Sequence, residues 1–98
     1  MKAYLLIDLN VTDLEGFMVY AGRIPEMIQK HHGRYLVQGV APTVIEQTDS
    51  EEYERSVVLE FPDRTSAQGF LEERSHSDLH DIWARTTKSR ILLVDGCT

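Results

Sequence analysis

The fold is decided by one stretch near the amino terminus, AYLLIDLNVTDLEGF, residues 3–17. Its first half, Ala3–Asn10, has the length and apolar character of a β-strand. Side chains alternate between the two sides of a strand, with Leu5, Ile7 and Leu9 on one side and Tyr4, Leu6 and Asp8 on the other. Both sides are largely apolar, which predicts that each face of the sheet packs against something.

A helix is predicted to begin directly after this strand. The segment Thr12-Asp13-Leu14-Glu15 fits a capping box, in which the hydroxyl of Thr12 and the carboxylate of Glu15 each accept from the other residue's backbone N–H. Apolar residues then recur at helical spacing: Leu14, Phe17, Met18, Ala21, Ile24 and Ile28. Pro25 predicts a kink or a local break, because proline removes one backbone hydrogen bond. Gly33 is suited to the position just after the helix.

The rest of the chain supplies three more strands and two more helices. The expected strands are Arg34–Gln38, Tyr53–Phe61 and Arg90–Asp95, with a bulge at Gly39, a bend at Ala41-Pro42, a β-rich Thr43-Val44-Ile45 and a turn at residues 48–52. Asp63 is expected to cap a second helix, with Ala67, Phe70 and Leu71 on its apolar face. A third helix from about Ser77 would carry Leu79, Ile82 and Trp83.

This order, βαββαβ, predicts an α+β, ferredoxin-like fold with a four-stranded antiparallel sheet and helices on one face. The chain is predicted to be a single domain, residues 1–98. We expect the first and third strands in the centre of the sheet, parallel to each other. The uncovered face would present an apolar set, namely Tyr4, Leu6, Leu36, Val58, Leu92 and Val94. Two copies packing these faces together would form a homodimer and bury on the order of 1,600 Å².

Composition excludes several classes of protein. Hydrophobic residues make up 42% and charged residues 27% of the 98 residues, which is ordinary for a globular domain and argues against disorder. A net charge of −6 argues against a nucleic-acid partner or an anionic membrane. The apolar run before Asp8 is too short for a signal peptide or membrane span. The single cysteine, Cys97, forms no internal disulfide, so a reducing, cytoplasmic location is expected.

Charged and polar residues on the otherwise apolar uncovered face are the first candidates for a site. They are Asp8 and Glu60 on the central strands and Arg34, Gln38 and Arg90 on the outer strands. In a dimer cavity, Asp8 or Glu60 could have a raised pKa and act as a general base on a small organic acid or enol. Arg34 or Arg90 would then bind its carboxylate. The alternative is a set of interface salt bridges, such as Asp8 with Arg90.

Histidine and aromatic residues form a second group of candidates. His31 and His32 close the first helix, where either could face the cleft between helix and sheet; His32 is a candidate acid–base group, and helix capping is the alternative. Tyr20 and Trp83 could bind a ligand in that cleft, or simply pack in the core.

His76 and His80, four residues apart, would share a helix face near Glu72 and Glu73, but no metal motif accompanies them. We therefore predict no metal and no cofactor.

Several segments resemble the small bacterial proteins of domain of unknown function 1330, in the dimeric α/β-barrel superfamily. The matching segments are Val11-Thr12-Asp13, Tyr20, Pro25, Gly33–Val37, Glu60-Phe61-Pro62, Ala67, Phe70, Ser89-Arg90 and Leu93–Gly96. The resemblance implies the ferredoxin-like fold and the dimer, and no established activity. His32-Gly33, Gln38-Gly39-Val40, Leu71, His76 and Trp83 depart from the usual family pattern. Superfamily relatives include cofactor-free monooxygenases, lactone isomerases and haem-dependent enzymes.

The sequence as a whole predicts a homodimer that binds a small organic molecule in a pocket between sheet and helices. Such a protein could be a cofactor-independent enzyme, an isomerase or a monooxygenase-like protein acting on a small organic acid or enol. The alternatives are a non-catalytic ligand-binding or regulatory module and a scaffold for self-association. Activity lost on Asp8→Asn or Glu60→Gln without loss of the dimer would favour the enzyme.

Overall fold

The computed structural model describes the whole chain, Met1–Thr98. Three helices lie on one face of a four-stranded sheet. The elements are β1 (Ala3–Val11), α1 (Leu14–Lys30), β2 (Arg34–Val40), β3 (Arg55–Phe61), α2 (Arg64–Ser75), α3 (Asp78–Thr86) and β4 (Thr87–Asp95). This confirms the α+β, ferredoxin-like prediction, with α2 and α3 together forming the second crossover. None of the helices has the length and apolar character that crossing a membrane requires.

The sheet has the strand order β2-β3-β1-β4, and every neighbouring pair is antiparallel. The prediction that β1 and β3 occupy the centre is confirmed, but the prediction that they run parallel is wrong. The α1 crossover makes β2 run in the same direction as β1. The chain then reverses, so β3 enters the gap between those two strands antiparallel to both.

The core lies between the inner face of the sheet and the helices. Its fully buried members include Leu5, Leu9, Leu59, Phe61 and Phe70. Helix α1 contributes Tyr20, Ile24 and Ile28. Leu14 and Met18 were expected in this stripe, but their side chains are 66% and 58% exposed. The rotation of α1 is set by Tyr20, whose large ring occupies the inward position and turns Met18 toward solvent.

The amino-terminal cap of α1 differs from the predicted capping box. Asp13 is the N-cap, and its carboxylate accepts from the backbone N–H of Gly16 at 3.2 Å. The Thr12 N–H instead donates to the carbonyl of Thr86 at 2.8 Å, which ties the start of α1 to the end of α3. Pro25 does not break the helix, which continues through it to Lys30.

The carboxyl-terminal cap of α1 places His32, not the predicted glycine, in the left-handed conformation, with φ of 64°. The N–H groups of His32 and Gly33 donate to the carbonyls of Gln29 and Ile28, both at 2.9 Å, which is a Schellman motif. Gly33 has a different role. A Cβ atom there would lie 2.6 Å from Cε1 of Phe61, so glycine allows the backbone to pass close to the Phe61 ring.

We expect His32→Gly to raise the free energy of unfolding by about 1 kcal/mol, because an L-residue in the left-handed region is strained and glycine is not. Urea denaturation of the purified protein measures this change. His32→Ala is the matched control, because it removes the imidazole and keeps the strained backbone. Equal stability of the glycine and alanine variants would contradict the interpretation.

The connection between β2 and β3 is a loop, residues 41–54, so the strand predicted to begin at Tyr53 begins at Arg55. Thr43-Val44-Ile45 forms no strand, and Val44 and Ile45 are 63% and 90% exposed. β-Branched residues favour a strand only where a pleated surface is available to pack on. The base of the loop is fixed to β1, because the Asn10 side chain donates to the Glu52 carbonyl at 2.8 Å and accepts from the Glu54 N–H at 2.6 Å.

Candidate functional site

A cavity of about 290 Å³ lies between the sheet and the helices, where the sequence predicts a pocket. Of its 18 lining residues 15 are hydrophobic, so it suits a mostly apolar molecule. The sheet contributes Leu5, Ile7, Leu9, Val57, Leu59 and Ile91. Their alternation along β1, β3 and β4 turns these side chains to the helix-covered face.

One wall of the cavity is aromatic and is provided by α1 and α3. The ring centroids of Tyr20 and Trp83 are 4.9 Å apart, and Phe17 lies 6.2 Å from each of them. The indole N–H of Trp83 donates to the Ser89 hydroxyl at 2.8 Å, which satisfies its polar edge and fixes the ring. Tyr20 and Trp83, both predicted ligand-binding residues, therefore lie together on this wall.

The most unusual residue of the site is Arg74, on α2, which lines the cavity and is only 6% exposed. Its Nε donates to the Tyr20 hydroxyl oxygen at 2.9 Å. Its Nη2 is buried and has no hydrogen-bond partner. The guanidinium carbon lies 5.4 Å from the Trp83 ring centroid and 5.7 Å from that of Tyr20, which are cation–π distances.

Two tyrosine hydroxyls belong to the same cavity. Burial raises the pKa of Tyr20, although the neighbouring Arg74 acts in the opposite direction. Burial also raises the pKa of Tyr35, which lines the cavity from β2, and the proximity of Tyr20 adds to this effect. Both phenols therefore stay protonated at neutral pH and can donate a hydrogen bond, but neither can serve as a base there.

The predicted acidic candidates lie on the opposite face of the sheet, away from this cavity. Asp8 accepts from the Arg90 guanidinium at 2.8 Å, and Glu60 accepts from Arg34 Nε at 2.9 Å. Lys2 lies 3.7 Å from Glu60. These are the salt bridges that were the alternative to catalysis. The expectation of a raised pKa is wrong for Glu60, since hydrogen bonding to Arg34 lowers the pKa of its carboxyl group despite opposing desolvation.

The lowered pKa of Glu60 predicts how stability changes with pH. A carboxyl group whose pKa is lower in the folded than in the unfolded state stabilises the fold above its ordinary value of 4.5, and this stabilisation is lost as the pH falls through the folded-state pKa. We expect Glu60→Gln to be less stable than wild type at neutral pH, with a smaller loss of stability on acidification. Urea denaturation across the acidic range measures this, with Glu26→Gln, at an exposed position without an ion pair, as control. Parallel pH profiles for wild type and Glu60→Gln would contradict the interpretation.

Gln38 was predicted to lie on the uncovered face of the sheet, but it lies on the face that the helices cover. It pairs with Val57 and lines the helix-side cavity, because β2 is irregular between Tyr35 and Val37 and again between Gln38 and Val40. Each irregularity inserts a residue and reverses the alternation of side chains. Gly39, with φ of 73°, lies in the second irregularity, as the sequence predicts.

The histidines do not line the cavity. His31 is half-buried, and its Nε2 lies 2.7 Å from the Glu73 carboxylate. His32 is exposed at the end of α1. His76 caps the end of α2 and His80 belongs to α3, so the predicted common helix face is wrong, because the chain turns at Ser77. No three histidine, cysteine, aspartate or glutamate side chains are grouped so that they could hold a metal ion.

The chain is similar to one protein family over almost its entire length. The family model described as Domain of unknown function (DUF1330) matches residues 2–97. The chain belongs to the DUF1330 family. No curated protein sequence matches it.

Solved structures share the DUF1330 chain's fold at low sequence identity. A protein of unknown function from Rhodopseudomonas palustris, RPA0582, has a TM-score of 0.75 at 11% identity, covering 99% of this chain and 83% of that one. SnoaB, a cofactor-independent oxygenase from Streptomyces nogalater, has a TM-score of 0.62 at 13% identity, covering 99% and 94%. A dimeric protein of unknown function with a ferredoxin-like fold from Bacteroides fragilis has a TM-score of 0.54 at 12% identity, covering 97% and 96%. At these identities the likeness shows the fold alone.

Sequence reasoning missed Arg74 as a site residue. The available signal was its position on α2, since Ala67, Phe70 and Arg74 follow one another at intervals of three and four residues and so share one helix face. Ala67 and Phe70 were predicted to face the core. An arginine on the same face as two core residues is the pattern that indicates a buried charge.

Proposed function

We propose that this DUF1330 protein is a homodimer that binds a small, largely apolar organic molecule in the cavity between its sheet and its helices. The observation that carries the proposal is the cavity itself, about 290 Å³ with an apolar lining and a polar group at Arg74. Protein interiors are packed as densely as organic crystals, and voids larger than a water molecule are few. A partly open, apolar cavity of this size in a chain of 98 residues is typical of a ligand-binding cleft.

An unoccupied apolar cavity also costs free energy of folding. A closed, dry apolar cavity of 290 Å³ would cost about 7 kcal/mol, and this cavity is partly open to solvent, so its cost is smaller. Native domains are stable by only about 5–15 kcal/mol. A ligand that fills the space would recover part of this cost and would stabilise the fold by mass action.

The chemistry of the cavity favours binding over proton abstraction. Its titratable lining residues are Tyr20, Tyr35 and Arg74, and a base at neutral pH is absent among them. The carboxylates of Asp8 and Glu60 are engaged by arginines on the other face of the sheet. A non-catalytic binding protein, rather than a proton-transfer enzyme, is the function that this geometry supports best.

Ligand binding can be measured by the fluorescence of Trp83, which is the only tryptophan of the chain and lines the cavity. We expect the indole emission of Trp83 to change saturably with phenylacetate or its neutral isostere 2-phenylacetamide. Ala21→Phe should weaken this response at least tenfold, because the new ring fills the cavity that Ala21 lines. Ala84→Phe, at an exposed position of α3, is the matched control and should leave it unchanged. If neither compound alters the emission, the proposed ligand site is wrong.

The homodimer is supported by the face of the sheet that carries no helix. Leu6, Leu36, Leu92 and Val94 lie on this face, each between 36% and 46% exposed. An apolar patch of this kind on a small protein is typical of an interface.

Charged side chains on this face are arranged as the rim of such an interface. Leu6 lies between Val58 and Leu92 in the middle of the sheet. The Arg34–Glu60 ion pair lies on one side of this apolar band, and the Asp8–Arg90 ion pair lies on the other side. An apolar centre with paired charges around it is the usual composition of a protein–protein interface.

A further inference from the structure

The guanidinium of Arg74 has no anion to balance it inside the protein. Arg74 is 6% exposed and takes part in no ion pair. Its neighbour in sequence, Glu73, is engaged elsewhere, since its carboxylate lies 2.7 Å from His31 and 3.0 Å from Lys30. Arginine does not deprotonate in proteins, so its charge is retained in the apolar cavity. A buried charge without a counter-ion is unfavourable, which makes its presence beside Tyr20 and Trp83 informative.

The free donors near Arg74 lie side by side. Nη2 and Nε belong to the same edge of the guanidinium, and Nε is bonded to the Tyr20 oxygen. An oxygen atom that accepts from Nη2 would therefore lie next to the Tyr20 hydroxyl. The Tyr20 oxygen already accepts from Nε, which leaves its O–H proton available to donate. Two donors, one of them charged, thus lie side by side on two residues that line the cavity.

We propose that the cavity binds a small carboxylic acid as its anion, with the carboxylate accepting hydrogen bonds from Arg74 Nη2 and the Tyr20 hydroxyl and the apolar body lying against Trp83. The inference rests on the proposed function and gives its ligand a chemical class. A second copy of the chain cannot supply this anion, because the proposed dimer interface is on the other face of the sheet.

The volume of the cavity limits the size of the acid that it can hold. A volume of 290 Å³ corresponds to about ten water molecules in the liquid, and so to a ligand of about ten non-hydrogen atoms. The aromatic wall of Phe17, Tyr20 and Trp83 favours a flat or aromatic body. Phenylacetate meets both conditions. 2-Phenylacetamide has the same shape and the same number of non-hydrogen atoms but no charge.

Isothermal titration calorimetry of both compounds tests the inference. Calorimetry is preferred to fluorescence here because Arg74 contacts Trp83, and its replacement changes the indole emission by itself. We expect wild type to bind phenylacetate at least tenfold more tightly than 2-phenylacetamide. Arg74→Met should abolish this preference, and Tyr20→Phe should reduce it several-fold. Arg85→Met, which removes an exposed arginine of α3, is the matched control and should preserve it.

The outcomes separate the two proposals. Equal binding of acid and amide to wild type, or an unchanged preference for the acid in Arg74→Met, would overturn the carboxylate inference and leave the proposed function standing. Binding of neither compound would overturn the proposed function. Displacement of phenylacetate by sodium chloride at equal concentration would show a general anion site and would also overturn the inference. Should Arg74→Met fail to fold, Tyr20→Phe tests the second donor, and an unchanged preference for the acid in that variant would overturn the inference.

Discussion

Leu6→Lys is expected to separate the proposed homodimer into single chains of 11.2 kDa. Leu6 lies in the central strand of the uncovered face, with Val58 and Leu92 as its neighbours in the register. The substitution removes an apolar contact and places an ammonium group where the partner's apolar face would pack. Desolvating that charge costs several kcal/mol. We therefore expect the dissociation constant to rise at least about a hundredfold.

Sedimentation velocity at micromolar concentration measures this change. Wild type should sediment with the mass of two chains, and Leu6→Lys with the mass of one. Leu14→Lys is the matched control, because Leu14 is 66% exposed on α1 and is remote from the uncovered face. A wild-type monomer, or a Leu6→Lys variant that remains a dimer, would show that this face is not the interface.

Arg74→Met is expected to make the ligand-free protein more stable, by about 1–3 kcal/mol. Methionine retains much of the length of the arginine side chain and fills the same space, but it brings no charge into the cavity. The stabilisation is reduced by loss of the hydrogen bond to Tyr20 and of the cation–π contacts with Tyr20 and Trp83. The same change weakens acid binding, so stability and ligand affinity should move in opposite directions.

Urea denaturation of dialysed, ligand-free protein measures the free energy of unfolding. Arg85→Met is again the control, and it should change stability by less than about 0.5 kcal/mol. A clear loss of stability in Arg74→Met would mean that Arg74 is a structural residue whose contacts with Tyr20 and Trp83 outweigh its buried charge. That result would remove the energetic basis for assigning it to a ligand.

The elements of the fold and its antiparallel sheet could be predicted from local patterns and from the order of the elements, but the direction of β3 relative to β1 was predicted wrongly. Alternation in Ala3–Asn10 and the helical spacing of Ile24 and Ile28 are properties of the chain itself. The antiparallel direction of β3 relative to β1 depends on the α1 crossover, which no local pattern records. Thr43-Val44-Ile45 has strand composition but no neighbour to pair with, so it forms part of a loop.

Residues of the candidate site could be predicted only where the type of side chain indicates whether it is buried or exposed. Tyr20 and Trp83 are large and apolar, and both line the cavity as predicted. Gln38 lies on the unexpected face because two irregularities in β2 shift its register, and their effect on side-chain direction depends on pairing with β3. Arg74 was missed because charge normally indicates exposure, and its burial depends on contacts with Tyr20 of α1 and Trp83 of α3.

The crystal structure of the wild-type protein grown with phenylacetate tests the central claim most directly. We expect electron density for the ligand in the cavity, beside Trp83, with a carboxylate oxygen about 3 Å from Arg74 Nη2 and within hydrogen-bond distance of the Tyr20 hydroxyl. A cavity closed by side chains, an empty cavity, or an Arg74 guanidinium paired with a carboxylate of the chain itself would contradict it.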